Sequence, residues 1–101
     1  MRSLPAFLSW ILVICAPLSA QTAAELALIK DKAGKGDAES QFQLGYYYLG
    51  KDHKEAGVWY RKAADQGHAN AQFNLGVMYA NGQGVQKDLN EALRYARKAA
   101  A

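Results

Sequence analysis

His53 and His68 are the only histidines in the chain, and Cys15 is the only cysteine. Imidazole and thiol side chains most readily hold a transition metal or activate a nucleophile, so their number limits the chemistry available. Each histidine stands at an expected helix start beside a turn, with no second histidine and no second carboxylate at metal-ligand spacing. That pattern predicts solvated turn residues, no metal site and no Ser–His–Asp constellation for hydrolysis. Gly82-x-Gly84 could suggest a phosphate loop, but it follows no expected strand, and no Lys with Ser/Thr comes after it. It reads instead as a turn in which the glycines permit positive φ, Val85 tucks into a helix pair and Asp88 caps the next helix. The chain is therefore expected to be no enzyme, with no catalytic residue and no cofactor.

The elements that would position any site follow from composition. The 101 residues carry 12 Lys plus Arg against 9 Asp plus Glu and are 50% hydrophobic, which describes one globular unit and excludes a multidomain enzyme. No five-residue window carries a basic run able to line up phosphate contacts, so nucleic acid is not an expected partner. Arg2 precedes an apolar run from Ala6 to Ala16 and then Pro17, Leu18, Ser19 and Ala20. This reads as a signal peptide of residues 1–20, cleaved after Ala20, with an apolar core shorter than the ~20 residues a spanning helix needs. Ile14 before Cys15 argues against lipid attachment. The expected product is periplasmic or secreted, has no membrane segment after leader removal, and has no cysteine for a disulfide.

Comparison of the chain with itself reveals a repeat. Ala38, Gln41, Phe42, Leu44, Gly45 and Tyr48 recur 31 positions later as Ala69, Gln72, Phe73, Leu75, Gly76 and Tyr79. EAGVWYRKAA at 55–64 recurs as EALRYARKAA at 91–100 with an offset of 36, the extra residues falling in NGQGVQKD. Ala33 and Gly36 stand 31 residues before Ala64 and Gly67, a partial earlier copy. Residues 21–36 are thus a leading partial repeat, 37–67 a repeat with a shortened loop and 68–101 a second repeat.

Each half-repeat has helical periodicity. Thr22 with Glu25, Asp52 with Glu55 and Asp88 with Glu91 have capping-box spacing, and helices are expected at about 22–33, 37–49, 52–65, 68–80 and 88–100. Antiparallel helix pairs in a right-handed α/α solenoid follow, an all-α fold of about two and a half repeats. Leu44, Tyr48, Gln41 and Gly45, with Leu75, Tyr79, Gln72 and Gly76, occupy the core face. Mid-helix Gly45 and Gly76 predict close helix approach, and Trp59 with its counterpart Tyr95 should fill the gaps between pairs. Arg61, Lys62, Arg97 and Lys98 read as a solvated basic face at helix C-termini.

These residues resemble the Sel-one-like repeat family, relatives of the tetratricopeptide repeat, with units of A-x-A-Q-x-x-L-G-x-x-Y, then G-x-G-V-x-x-D, then E-A and a closing A-A. The second unit matches from Ala69 and Gln72 through Leu75, Gly76, Tyr79, Gly82, Gly84, Val85, Asp88, Glu91 and Ala92 to Ala99 and Ala100. The first has Ser40 for the second alanine, lacks the G-x-G-V loop and places Gly57 inside its second helix. The resemblance implies a protein-interaction scaffold without a shared active site.

A second stripe carries the functional expectation. Phe42 and Tyr46 project away from the Leu44 face, and Phe73 and Val77 repeat that geometry. In tetratricopeptide-like stacks these positions line the concave groove, so the resemblance makes Glu39, Phe42, Gln43, Tyr46, Asn70, Phe73, Asn74 and Val77 a binding surface for another protein or a peptide. The alternative is that the neighbouring pair or the leading helix shields this face. Two further readings differ in class: an immunity or inhibitor protein against a secreted toxin or enzyme, and a cell-wall or β-lactam hydrolase. The second predicts clustered polar residues that the sequence does not display. The last helix has an outer face that another repeat would cover, so the chain is expected either to be a truncated member of a longer array or to self-associate or take a partner that completes the stack.

Overall fold

The computed structural model describes residues 22–101; the leader, its cleavage point and Cys15 lie outside the described residues. Five helices follow in order: α1 Ala23–Gly34, α2 Ala38–Leu49, α3 His53–Asp65, α4 Ala69–Asn81 and α5 Leu89–Ala100. There is no strand among the described residues, and none of their helices is long and apolar enough to cross a membrane. Each helix packs on the next, α1 on α2 through to α4 on α5, which makes an α/α solenoid.

Local chemistry explains the boundaries. Thr22, Asp37, Asp52 and Asp88 each accept a hydrogen bond from a first-turn amide through a side-chain oxygen. The reciprocal capping box closes only at Thr22, whose amide donates to Glu25 at 2.8 Å. The other two carboxylates go elsewhere, because Trp59 Nε1 donates to Glu55 at 3.1 Å and the Arg94 guanidinium holds both oxygens of Glu91 at 2.8 Å. Between α4 and α5, Gly82 and Gly84 have φ of 69° and 71°, conformations that favour glycine, and half-buried Val85 packs against the core.

The core contains Ala56, Tyr60, Ala63, Leu75, Met78 and Tyr95. A buried amide at the start of each repeat joins it to the preceding unit: Gln41 Nε2 donates to the Ala33 carbonyl at 3.1 Å, and Gln72 Nε2 to the Ala64 carbonyl at 3.2 Å. Each is a second bond to its carbonyl, which already accepts from the following turn glycine, Gly36 to Ala33 at 3.1 Å and Gly67 to Ala64 at 2.9 Å. Glycine at 45 and 76 does permit close approach. A Cβ at 45 would stand 2.8 Å from the Tyr60 ring, and one at 76 would stand 3.1 Å from the Ala92 carbonyl oxygen.

One expectation about the packing needs correction. Tyr95 is buried and stacks on Tyr79 with centroids 5.8 Å apart, inside its own helix pair. Trp59 is only half-buried, with Lys62 over its ring. The seam between the two repeats is filled instead by Tyr60, which is completely buried. One residue is 100° of helix rotation, enough to turn Tyr60 rather than Trp59 toward α4.

Candidate functional site

The exposed surface of α2 and α4 is built on a buried floor. The Tyr60 ring crosses from α3 over Gly45 and packs against Phe42 with centroids 5.7 Å apart. Its hydroxyl is buried without a hydrogen bond in the present geometry. Burial pushes the phenol above its ordinary value of 10.0; the Asn74 side chain beside it opposes that rise, and Tyr46 adds to it slightly.

His68 is not a solvated turn residue. It is the N-cap of α4: Nδ1 accepts from the Ala71 amide at 3.2 Å, while Nε2 lies 2.7 Å from a Glu39 oxygen on α2. An imidazole that accepts at Nδ1 carries its proton on Nε2, so Nε2 donates to the carboxylate. The ring also stacks on Phe42, with centroids 4.7 Å apart and planes 20° from parallel. His68 stands 31 positions after Asp37, so an imidazole replaces the carboxylate cap of the earlier repeat and reaches a helix the carboxylate could not. His53 is exposed, as expected.

The eight expected site residues divide into clusters. Glu39 and Phe42 are gathered on His68, and Phe42 is half-buried there. Tyr46 is 67% exposed above the Tyr60 floor, with half-buried Asn74 opposite. Gln43 and Asn70 are exposed. Phe73 and Val77 turn away from α2 and join Leu89 and Leu93 of α5 around a floor of Gly76 and Ala96, an apolar groove of about 410 Å³.

A second cavity, of about 570 Å³, lies between α3 and the α4–α5 turn, where Arg61, Tyr79, Lys87, Asp88 and Glu91 line it. Its charges are largely engaged. Arg61 donates to the Tyr79 hydroxyl and lies over its ring, Asp88 caps α5, and Arg94 holds Glu91 below the ordinary carboxylate range. Arg61 is exposed, in keeping with a solvated face, and from there it reaches the tyrosine 18 residues later on the neighbouring repeat. Sequence reasoning missed Tyr60 because its counterpart 36 residues later is Ala96, so repeat comparison does not select it. The spacing of 29 residues between Glu39 and His68 likewise gave no local signal for their contact.

A family model described as Sel1 repeat matches residues 38–68 and 69–101. The crystal structure of c5321, a protective antigen of uropathogenic Escherichia coli strains displaying an SLR fold, is similar with 42% identity and a TM-score of 0.69, over 74% of this chain and 17% of that one. A Sel1 repeat protein from Oxalobacter formigenes is 48% identical with a TM-score of 0.62, over 64% of this chain and 29% of that one. DAP3-binding cell death enhancer 1 of Rattus norvegicus is 34% identical over 79 residues, which are 75% of this chain and 16% of the relative. The chain therefore spans less than a third of each of these proteins.

Proposed function

The chain belongs to the Sel1 repeat family, and we propose that it is an exported, non-catalytic scaffold that binds another protein or a peptide through the α2 and α4 surface. Sel1 repeat proteins are in general protein-interaction scaffolds, and the name of the rat relative states that it binds DAP3. The observation that carries the reading is the exposure of large apolar side chains on these two helices, 67% at Tyr46 and 57% at Phe73. Aromatic residues held in water by a rigid helix bury much area on contact at little cost in side-chain entropy. Gln43, Asn70 and Asn74 would add polar selection at the rim, and export would rest on the leader-like residues 1–20.

The test is partner capture. Protein expressed with its own leader is crosslinked in the periplasm, and the captured species are compared with those of a Tyr46→Ala, Phe73→Ala variant whose helical circular dichroism is unchanged. Loss of a partner from the folded variant is expected. Full retention of every partner would overturn the α2–α4 reading. An immunity or inhibitor role is a specialised form of the same binding. It would be recognised by rescue of cells from a co-expressed toxin or by inhibition of the captured enzyme.

A further inference from the structure

The cavity between α3 and the α4–α5 turn has its walls within two stacked repeats. Arg61 comes from α3, Tyr79 from α4, Lys87 and Asp88 from the turn, and Glu91 from the first turn of α5. Glu91 is two residues from both Leu89 and Leu93, so it turns about 200° away from the apolar side of α5. Tyr79 likewise turns about 200° from Val77, away from the exposed Phe73–Val77 side of α4. The walls are held in place. The Asp88 amide donates to the Tyr79 carbonyl at 3.0 Å, and a Cβ on Gly82 would stand 3.2 Å from the Lys87 Cβ, so glycine admits the lysine stem against the turn. The Tyr79 ring stacks on buried Tyr95 and lies under the Arg61 guanidinium.

Engagement of the polar groups in this cavity is one-sided. Asp88 Oδ1 accepts from the Asn90 and Glu91 amides, and both Glu91 oxygens accept from Arg94. The Tyr79 oxygen accepts from Arg61. A phenol that accepts still has its proton to give, and a guanidinium that donates once keeps most of its N–H groups. The exposed side chains of Gln86 and Lys87 form no hydrogen bond or ion pair among the described residues. The acceptors are mostly occupied while donors remain, so the complement of this cavity is an acceptor. Four cations, Arg61, Lys87, Arg94 and Lys98, act there against three carboxylates, Asp65, Asp88 and Glu91, which leaves one net positive charge. That excess suits a single carboxylate. A doubly charged phosphate would meet stronger repulsion from Asp88 and Glu91.

We propose that this cavity binds the side-chain carboxylate of an acidic segment of a partner protein. Arg61 and the Tyr79 hydroxyl donate to its oxygens, and Lys87 adds a second positive charge from the turn. Tyr79 holds the guanidinium in place beforehand, which lowers the side-chain entropy lost on binding. A volume of about 570 Å³ exceeds that of a lone carboxylate, half-buried Val85 offers an apolar flank to the side-chain stem, and the Gln86 amide can pair with a neighbouring peptide group. The inference rests on the reading of this chain as a protein-binding scaffold and gives it a second surface, apart from Tyr46 and Phe73.

The probes are two end-blocked pentapeptides of glycine and serine, one with a central glutamate and the other with a central glutamine, and inorganic phosphate. Each is titrated against the isotope-labelled protein by NMR, read at the Arg61 side-chain Nε–H and the Lys87 backbone amide. Saturable shifts are expected with the glutamate peptide and none with the glutamine peptide, and phosphate should bind about fivefold more weakly or worse. Arg61→Gln, read at the Lys87 amide, should weaken the glutamate peptide about tenfold, the scale of a charged hydrogen bond, and Arg61→Lys should recover only part of that loss. Lys87→Gln, at an exposed turn position, should weaken it about threefold even where Arg61→Gln fails to fold. Equal binding of the two peptides, binding of neither, or glutamate binding unaffected by Arg61→Gln and Lys87→Gln would overturn the proposal. Phosphate binding tighter than the glutamate peptide would assign the cavity to phosphate groups and overturn it as well. Loss of a captured partner in the Tyr46→Ala, Phe73→Ala variant without any glutamate preference would sink this inference alone. A glutamate preference with capture unchanged in that variant would sink the α2–α4 reading alone.

Discussion

Gly84 lies flat against the backbone of His53, the first residue of α3. A Cβ built on Gly84 would fall well inside contact distance of the His53 carbonyl and 2.8 Å from the Lys54 amide nitrogen. The α4–α5 turn thus clasps the N-terminus of the preceding repeat's second helix, and its glycine, at φ 71°, is required both for conformation and for space. Gly84→Ala is expected to cost about 2–4 kcal/mol, from the left-handed conformation and from overpacking against backbone that cannot rotate aside. Urea denaturation will read this, with Gly50→Ala as the comparison, since nothing lies within 4 Å of a Cβ there.

Glycine to alanine should have opposite signs at two helical positions. At Gly34 a Cβ meets nothing within 4 Å, so the substitution should stabilise by up to ~1 kcal/mol through helix propensity. At Gly45 the methyl meets the Tyr60 ring at 2.8–3.1 Å, and that ring is fully buried. The propensity gain is outweighed, and a net loss of about 1–2 kcal/mol is expected. A matched pair of thermal melts decides the sign of each.

The Tyr60 hydroxyl makes the fold sensitive to alkali. Burial raises the phenol's folded-state value above the ordinary 10.0, so the unfolded chain loses this proton first. The stability it contributes is fully present below pH 10 and is lost as pH rises through the folded value. Tyr60→Phe keeps the ring on Gly45 and Phe42 and removes a buried group that lacks a partner, so at neutral pH it should be neutral or stabilising by up to ~1 kcal/mol. Its stability should also fall less steeply than that of the parent in denaturation series above pH 10. A slope identical to the parent's would contradict the assignment.

His68 holds two repeats together, so its loss should exceed that of an ordinary cap. His68→Ala removes the α4 cap, the Glu39 contact and the Phe42 stack, with an expected cost of about 1–2 kcal/mol. His68→Asp, which restores the acid found at Asp37, should recover part of that loss while facing the Glu39 carboxylate. Combining it with Glu39→Gln should recover a further few tenths of a kcal/mol, the scale of an exposed charge pair. A double-mutant cycle by chemical denaturation measures this coupling.

The five helices, the caps at Thr22, Asp52 and Asp88 and the core face of α2 and α4 were legible in the sequence, because each depends on residues within one or two turns. Asp52 caps whatever helix follows it, Gln41 and Gly45 share a face by rotation alone, and Gly82 and Gly84 announce a turn. Repeat comparison extended that local reading to an α/α solenoid, since like sequences pack alike.

Only the tertiary structure decided which like residues share an environment. Phe42 and Phe73 each stand in a Q-F-x-L-G segment, yet Phe42 is covered by His68 and Tyr60 while Phe73 is 57% exposed. Glu39 and Asn74 were placed on one surface, yet Glu39 is bound to His68 whereas Asn74 stands by Tyr60. Periodicity and caps report the forces along one helix. Coverage depends on side chains about 30 positions away, brought close only when successive helix pairs stack.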